Sequence, residues 1–163
     1  MYEESYESGF QHVQAPVPMQ TCPYCGGAMD WGRQPYVVNI HSATEANQAF
    51  RRTLWTGKHL QVTVMCINPG DSVGLEVHHE LDQFLRVESG SGLVRMGDSR
   101  DQLTFERRVQ AGDAILVPAG AWHDLINTGR VPLKLYSIYA PPAHDPGTIH
   151  WTKQQAMAAE SAY

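Results

Sequence analysis

The sequence predicts an all-β protein, a sandwich or barrel of short strands. Three observations carry this. Apolar and polar residues alternate with a period of two wherever β-branched residues are dense. Turn residues recur at regular intervals between those runs. The 163 residues include 14 Gly and 10 Pro, many for a helix bundle. The length suits one domain, large enough to bury roughly two-thirds of its unfolded surface.

Residues 1–36 read as an arm that precedes the strands. They hold four of the seven Tyr, four of the 10 Pro and a single basic residue, Arg33, with no periodic apolar run. Cys22-Pro23-Tyr24-Cys25-Gly26-Gly27 has the shape of a zinc knuckle, two thiolates on a glycine turn. Four ligands are needed, so zinc at Cys22 and Cys25 requires a partner subunit, or His12 or His41; two free thiols account for the same residues. Residues 37–163 form the barrel and its tail. Ser42-Ala43-Thr44-Glu45 has capping-box spacing and opens a short helix over about 43–50. Leu54 and Trp55 precede a turn at Thr56-Gly57-Lys58. Leu60, Val62, Val64 and Cys66 then alternate with Gln61, Thr63, Met65 and Ile67, which makes Cys66 a core thiol on the valine face. Further strands are expected at about 75–79, 83–88, 92–96, 102–108, 114–117, 122–126 and 132–140. Pro141-Pro142 closes the sheet, and residues 152–160 read as a short surface helix.

Composition excludes several classes. With 12 Lys and Arg against 17 Asp and Glu the net charge is -5, the wrong sign for a nucleic-acid binder. The longest nearly apolar stretch, Ala114 to Trp122, is too short to span a bilayer. The first residues lack the basic start and apolar stretch of a signal peptide. Three Cys do not make a disulfide scaffold. A soluble, cytoplasmic protein is expected.

The chemistry-bearing stretch runs from Gly74 to Gly90. On a strand, Glu76 and His78 lie two apart and share a face, while His79 points away. A hairpin loop over 79–82 would set Gln83 opposite His78, close enough for the side chains to share one ion. A polar barrel rim with a surface histidine accounts for these residues equally well. A second stretch adds to the first: Gly112-Asp113-Ala114-Ile115-Leu116-Val117-Pro118-Ala119-Gly120-Ala121-Trp122-His123-Asp124-Leu125-Ile126-Asn127 is a strand, a Pro/Gly corner and a strand bearing one histidine.

Together the two stretches resemble the cupin superfamily, in particular small bacterial cupins labelled mannose-6-phosphate-isomerase-like. The second motif agrees at Gly112, Pro118, Gly120, His123 and Asn127. The first agrees in spacing only: Glu76 stands at the family's first His position, His78 at its second, Gln83 at its Glu and Gly90 at its closing Gly. The resemblance covers about residues 54–140. It implies a double-stranded β-helix, the jelly-roll cupin barrel, with short flanking helices. It also implies one divalent metal held by Glu76, His78, Gln83 and His123.

That set has two imidazoles, one amide and one carboxylate. Exchanging an imidazole for oxygen shifts preference toward harder ions such as manganese, with zinc, iron and nickel still open. A lyase or isomerase acting on a small sugar-derived or carboxylated compound through a Lewis-acid metal is the favoured function, with no general base nameable from the residues. An iron-dependent oxygenase and a non-enzymatic small-molecule- or metal-binding or coat-like role are the alternatives. The partners expected are a small-molecule ligand and a second copy in a homodimer, with neither nucleic acid nor membrane. Arg86, Glu88 and Arg95 read as an outer polar face, Trp122 as packing, and His144 and His150 as tail residues near the barrel rim.

Overall fold

The computed structural model describes residues 30–161. The knuckle cysteines Cys22 and Cys25, His12 and most of the expected arm lie outside them. Helix α1 (Ile40–Ala46) leads into β1 (Arg51–Thr56) and β2 (Gln61–Ile67). Then follow β3 (Asp82–Ser89), β4 (Ser91–Gly97), β5 (Phe105–Gln110), β6 (Ala114–Val117), β7 (Trp122–Asn127) and β8 (Leu133–Ala140). A two-residue β9 (Ile149–His150) and α2 (Lys153–Glu160) complete the chain. The strands form an antiparallel six-stranded sheet, in the order β6-β3-β8-β2-β1-β9, and a three-stranded sheet, β5-β4-β7. This is the expected double-stranded β-helix barrel. No helix among the described residues is long and apolar enough to cross a membrane.

Several elements depart from the sequence expectation. Helix α1 starts three residues before the expected 43, because Asn39 caps it by accepting from the Ser42 N–H at 2.9 Å. Residues 30–36 run beside β1: the Trp31 N–H donates to the Leu54 carbonyl and the Trp55 indole donates to the Gln34 carbonyl. The strand expected at 75–79 reduces to one isolated bridge, Glu76 with His123. The hairpin that would face Gln83 with His78 does not form; β3 runs between β6 and β8, and Gln83 pairs with Val117 and Tyr139. Gly90 turns β3 into β4 at φ +88°, and a Cβ there would meet the Pro132 carbonyl at 2.9 Å, so only glycine fits.

The barrel interior divides along its axis. On the pair β2–β8, Ile67 faces Leu133 and Met65 faces Leu135, whereas Thr63 faces Ser137 and Gln61 faces Tyr139. All eight are buried. The apolar four join Leu85, Val87, Val94, Ile115, Leu125 and others in one core cluster. Ala156 belongs to that cluster, so α2 is docked by a buried contact. Cys66 lies on the outer side of β2, partly exposed, and is not in the barrel core. Its thiol pKa is raised by burial beside α1.

Candidate metal centre

The polar end of the barrel brings together three of the four predicted site residues, Glu76, His78 and His123. His123 follows the Pro118–Gly120 corner and enters the barrel from β7, leaving it 4% exposed. Glu76 and His123 exchange both backbone hydrogen bonds, Glu76 N–H to His123 carbonyl at 3.0 Å and the reverse at 2.9 Å. That single rung sets their side chains abreast. His78 is fixed from the corner itself, whose Gly120 N–H donates to the His78 carbonyl at 2.7 Å. The result is a compact triad. Glu76 Oε1 stands 3.4 Å from His78 Nε2 and 3.3 Å from His123 Nε2. The ligand-capable atoms of all three lie within 4.8 Å of one another.

The donor chemistry fits a divalent cation. His123 Nδ1 is 2.9 Å from the Ala121 carbonyl, so the neutral imidazole carries its proton there and turns its Nε2 lone pair toward Glu76. Glu76 Oε1, His78 Nε2 and His123 Nε2 are buried without a hydrogen-bond partner among the described residues. Burial alone would raise the Glu76 carboxyl pKa. The His123 and His78 nitrogens beside it and the Arg51 charge outweigh that and hold it well below the usual carboxylate range. Burial likewise opposes a charge on His123, but the Glu76 carboxylate wins and raises its pKa. Converging lone pairs around a permanently ionised carboxylate are what a metal ion satisfies.

Gln83 sits on β3, 3% exposed. Its Nε2 donates to the Ser137 hydroxyl at 2.9 Å, which orients the amide and leaves Oε1 buried without a partner. It adjoins Tyr139, whose ring stands edge-on to His78 at 5.7 Å. His79 is exposed, on the outside as the alternation predicts. His41 has its own partner, Glu88 on β3, at 2.6 Å.

Sequence reasoning missed Arg51, Gln61, Thr63, Ser137 and Tyr139, all completely buried around this chamber. Arg51 Nη2 is 3.8 Å from Glu76, and its Nη1 donates to Glu160 on α2 at 2.9 Å. The strand period could have found Tyr139 and Ser137, which continue on β8 the inward face of Leu133 and Leu135; Arg51, in the run Phe50-Arg51-Arg52, carries no such signal. The Tyr139–His144 rings meet edge-on at 5.2 Å, so His144 does reach the rim. A groove of about 540 Å³ lies elsewhere, between residues 33–40 and the outer face of β1 and β2. Tyr36, Val38, Leu54, Trp55 and Val62 line it, and it holds no ligand cluster.

A jelly-roll barrel with a carboxylate and two imidazoles converging inside defines the class of protein. Residues 63–139 match the Cupin domain family, and the chain belongs to the cupins. YrkC of Bacillus subtilis, an uncharacterised protein, is 59% identical over 131 residues, spanning 80% of this chain and 70% of that protein. The crystal structure of BH2720 from Bacillus halodurans superposes with a TM-score of 0.79 at 60% identity, over 79% of this chain and 98% of that one. Mannose-1-phosphate guanylyltransferase 2 of Escherichia coli O157:H7 is 30% identical over 82 residues, half of this chain and 16% of that enzyme.

Proposed function

We propose that the barrel holds one divalent ion through Glu76, His78, Gln83 and His123, and that it serves lyase or isomerase chemistry on a small hydroxylated or carboxylated compound. The observation that carries this reading is the state of the four atoms. Glu76 Oε1, His78 Nε2, Gln83 Oε1 and His123 Nε2 are all buried and all without a partner among the described residues. Orphaned lone pairs at one barrel end make a costly arrangement unless a cation completes it.

Such an ion supplies Lewis acidity, polarising a substrate oxygen. The chain's own residues do the rest. The Ala121 carbonyl and the Ser137 hydroxyl orient His123 and Gln83. Tyr139 and His144 are the groups placed to hold or move a proton. Burial raises the Tyr139 pKa and lowers that of His144 to about 3, so both are neutral near pH 7. Entry is narrow, since the Glu76 and His78 side chains are only 13% and 20% exposed, which suits a compound of few atoms. The unpaired edges of both sheets favour a homodimer, which light scattering tests.

The deciding experiment is elemental analysis of protein purified without added metal, with calorimetric titration by Mn²⁺ and Zn²⁺. The expected result is one ion per chain. Folded protein that takes up neither ion overturns the reading.

A further inference from the structure

Arg51 is wholly buried, yet its guanidinium is only half engaged. Nη1 donates to Glu160 at 2.9 Å, whereas Nη2 stays 3.8 Å from Glu76, beyond hydrogen-bond reach. Nε and Nη2 form the flat side-on fork of the guanidinium, and neither has an acceptor among the described residues. Three neighbours share this condition. The Tyr139 hydroxyl lies beside the Ser137 and Thr63 hydroxyls without a hydrogen bond of good geometry, and His144 Nε2 and His150 Nδ1 are buried and unpartnered. All three groups feel the Arg51 charge. The chamber therefore has two halves. Around Glu76 it lacks a cation; around Arg51 it lacks an acceptor.

We propose that the chamber takes a small carboxylate, seated on the Nε/Nη2 fork of Arg51 with the Tyr139 hydroxyl as a third donor. A second oxygen of the same molecule, a hydroxyl or carbonyl, then faces Glu76, His78 and His123. Only that second contact rests on the metal reading above. A guanidinium fork matches the two coplanar oxygens of a carboxylate with two parallel bonds. Charge agrees: Glu76, Glu160, Arg51 and a divalent ion leave one net positive charge, which a monocarboxylate neutralises.

The test titrates metal-loaded and metal-free protein with glycolate, ethylene glycol and inorganic phosphate by calorimetry, in wild type, Arg51→Lys and Tyr139→Phe. Arg51→Lys keeps the charge and removes the fork; Tyr139→Phe removes one hydroxyl and preserves packing if the lysine variant does not fold. Glycolate is expected to bind and ethylene glycol not. Glycolate affinity should fall about ten-fold or more in Arg51→Lys and several-fold in Tyr139→Phe, with Mn²⁺ affinity unchanged in both. Glycolate binding to metal-free protein that Tyr139→Phe weakens supports the carboxylate seat even if no metal binds, which isolates a failure of the metal reading. Metal uptake with glycolate no tighter than ethylene glycol, or glycolate binding equal in wild type and Tyr139→Phe, overturns the proposal while the metal reading stands. Phosphate binding more tightly than glycolate, and weakened by the same variants, also overturns it in favour of a phosphate.

Discussion

The two ends of the barrel interior are built from the same strands to opposite purposes. On β8, Leu133 and Leu135 face one end and Ser137 and Tyr139 the other; on β2 the division falls between Met65 and Thr63, and on β3 between Leu85 and Gln83. The apolar end is filled by aliphatic contact, which is non-directional and stabilises the fold. At the polar end Gln61, Thr63, Ser137 and Tyr139 are buried as deeply, but nitrogen and oxygen atoms there are left without partners among the described residues. One end supplies stability and the other spends some of it to hold a charged, preorganised site.

That contrast is broken or sharpened most strongly by one substitution at each end. Leu135→Ala removes a fully buried side chain from the apolar cluster. It should cost about 2–5 kcal/mol in chemical denaturation and leave metal stoichiometry unchanged. His123→Ala should cost the metal-free protein less at neutral pH, since what it loses there is the Nδ1 bond to the Ala121 carbonyl and the attraction of Glu76, not an aliphatic core contact. It should instead abolish metal uptake, and with it the stabilisation by added ion, about 2.7 kcal/mol at a hundred-fold excess over Kd. If His123→Ala destabilises metal-free protein as much as Leu135→Ala does, the polar end is structural and the division fails. His79→Ala, on the outside, is the control that should change neither quantity.

A smaller effect separates the ends by pH. The buried apolar cluster contains no titratable group, so it contributes no slope. His144 has its pKa lowered from 6.5 to about 3, by burial first and then by the Arg51 charge. Below pH 6.5 the unfolded chain binds a proton there that the folded chain refuses until about pH 3. Its contribution is therefore complete above pH 6.5 and declines as pH falls. Between pH 6.5 and 5 the loss is about 1.5 kcal/mol, less than 1.36 kcal/mol per pH unit because the unfolded histidine is already half protonated at 6.5. His123 is shifted the other way, upward from 6.5, so its contribution is already complete below 6.5 and does not mask the slope. Denaturation of metal-free protein at pH 6.5 and 5.0 should show a larger loss in wild type than in His144→Phe, which keeps the slope of His150, shifted down by burial and by the same Arg51 charge. An equal slope in both would mean that His144 is hydrated and the chamber wetter than its burial indicates.

The same division explains what was legible in the sequence. Alternation reads hydropathy, so strands with apolar inward faces were placed well: β3, β4, β6, β7 and β8 lie within a few residues of expectation. It fails where an inward residue is polar. On β2 the buried inner positions are Gln61 and Thr63, which look like a solvated face, and Cys66 was accordingly assigned to the core. Glu76 and His78 do meet in space, although only Glu76 is bridged and the segment is otherwise not a strand. Their convergence depends on the Gly120–His78 and Glu76–His123 backbone bonds, which are long-range in sequence and leave no local period. Arg51 was illegible for a stronger reason. A buried arginine is recognisable only by Glu76 and Glu160, which are 25 and 109 residues away along the chain.

The smallest expected effect tests where the boundary between the ends runs, at Gln83. Its neighbour on the same strand face, Leu85, belongs to the apolar cluster. The Gln83 amide is held by Ser137, and only Oε1 is left over. Gln83→Glu keeps the shape, and the Ser137 hydroxyl can reverse its role and donate to the new carboxylate. If Oε1 is a ligand, the substitution adds a negative charge beside the ion. Coulomb attraction between unit charges a few ångströms apart is several kcal/mol at an effective dielectric of about 20. Most of it is offset by desolvating the new carboxylate and by its repulsion from Glu76. A net gain in Mn²⁺ affinity of about five-fold is what should remain, with a weaker Lewis acid as its consequence. If Gln83 is only wall, the new charge has no partner: affinity stays flat and the metal-free protein loses stability. Calorimetric titration with Mn²⁺, run beside denaturation of the metal-free variant, separates the two. Unchanged affinity in a folded variant removes Gln83 from the ligand set and leaves Glu76, His78 and His123 as the centre.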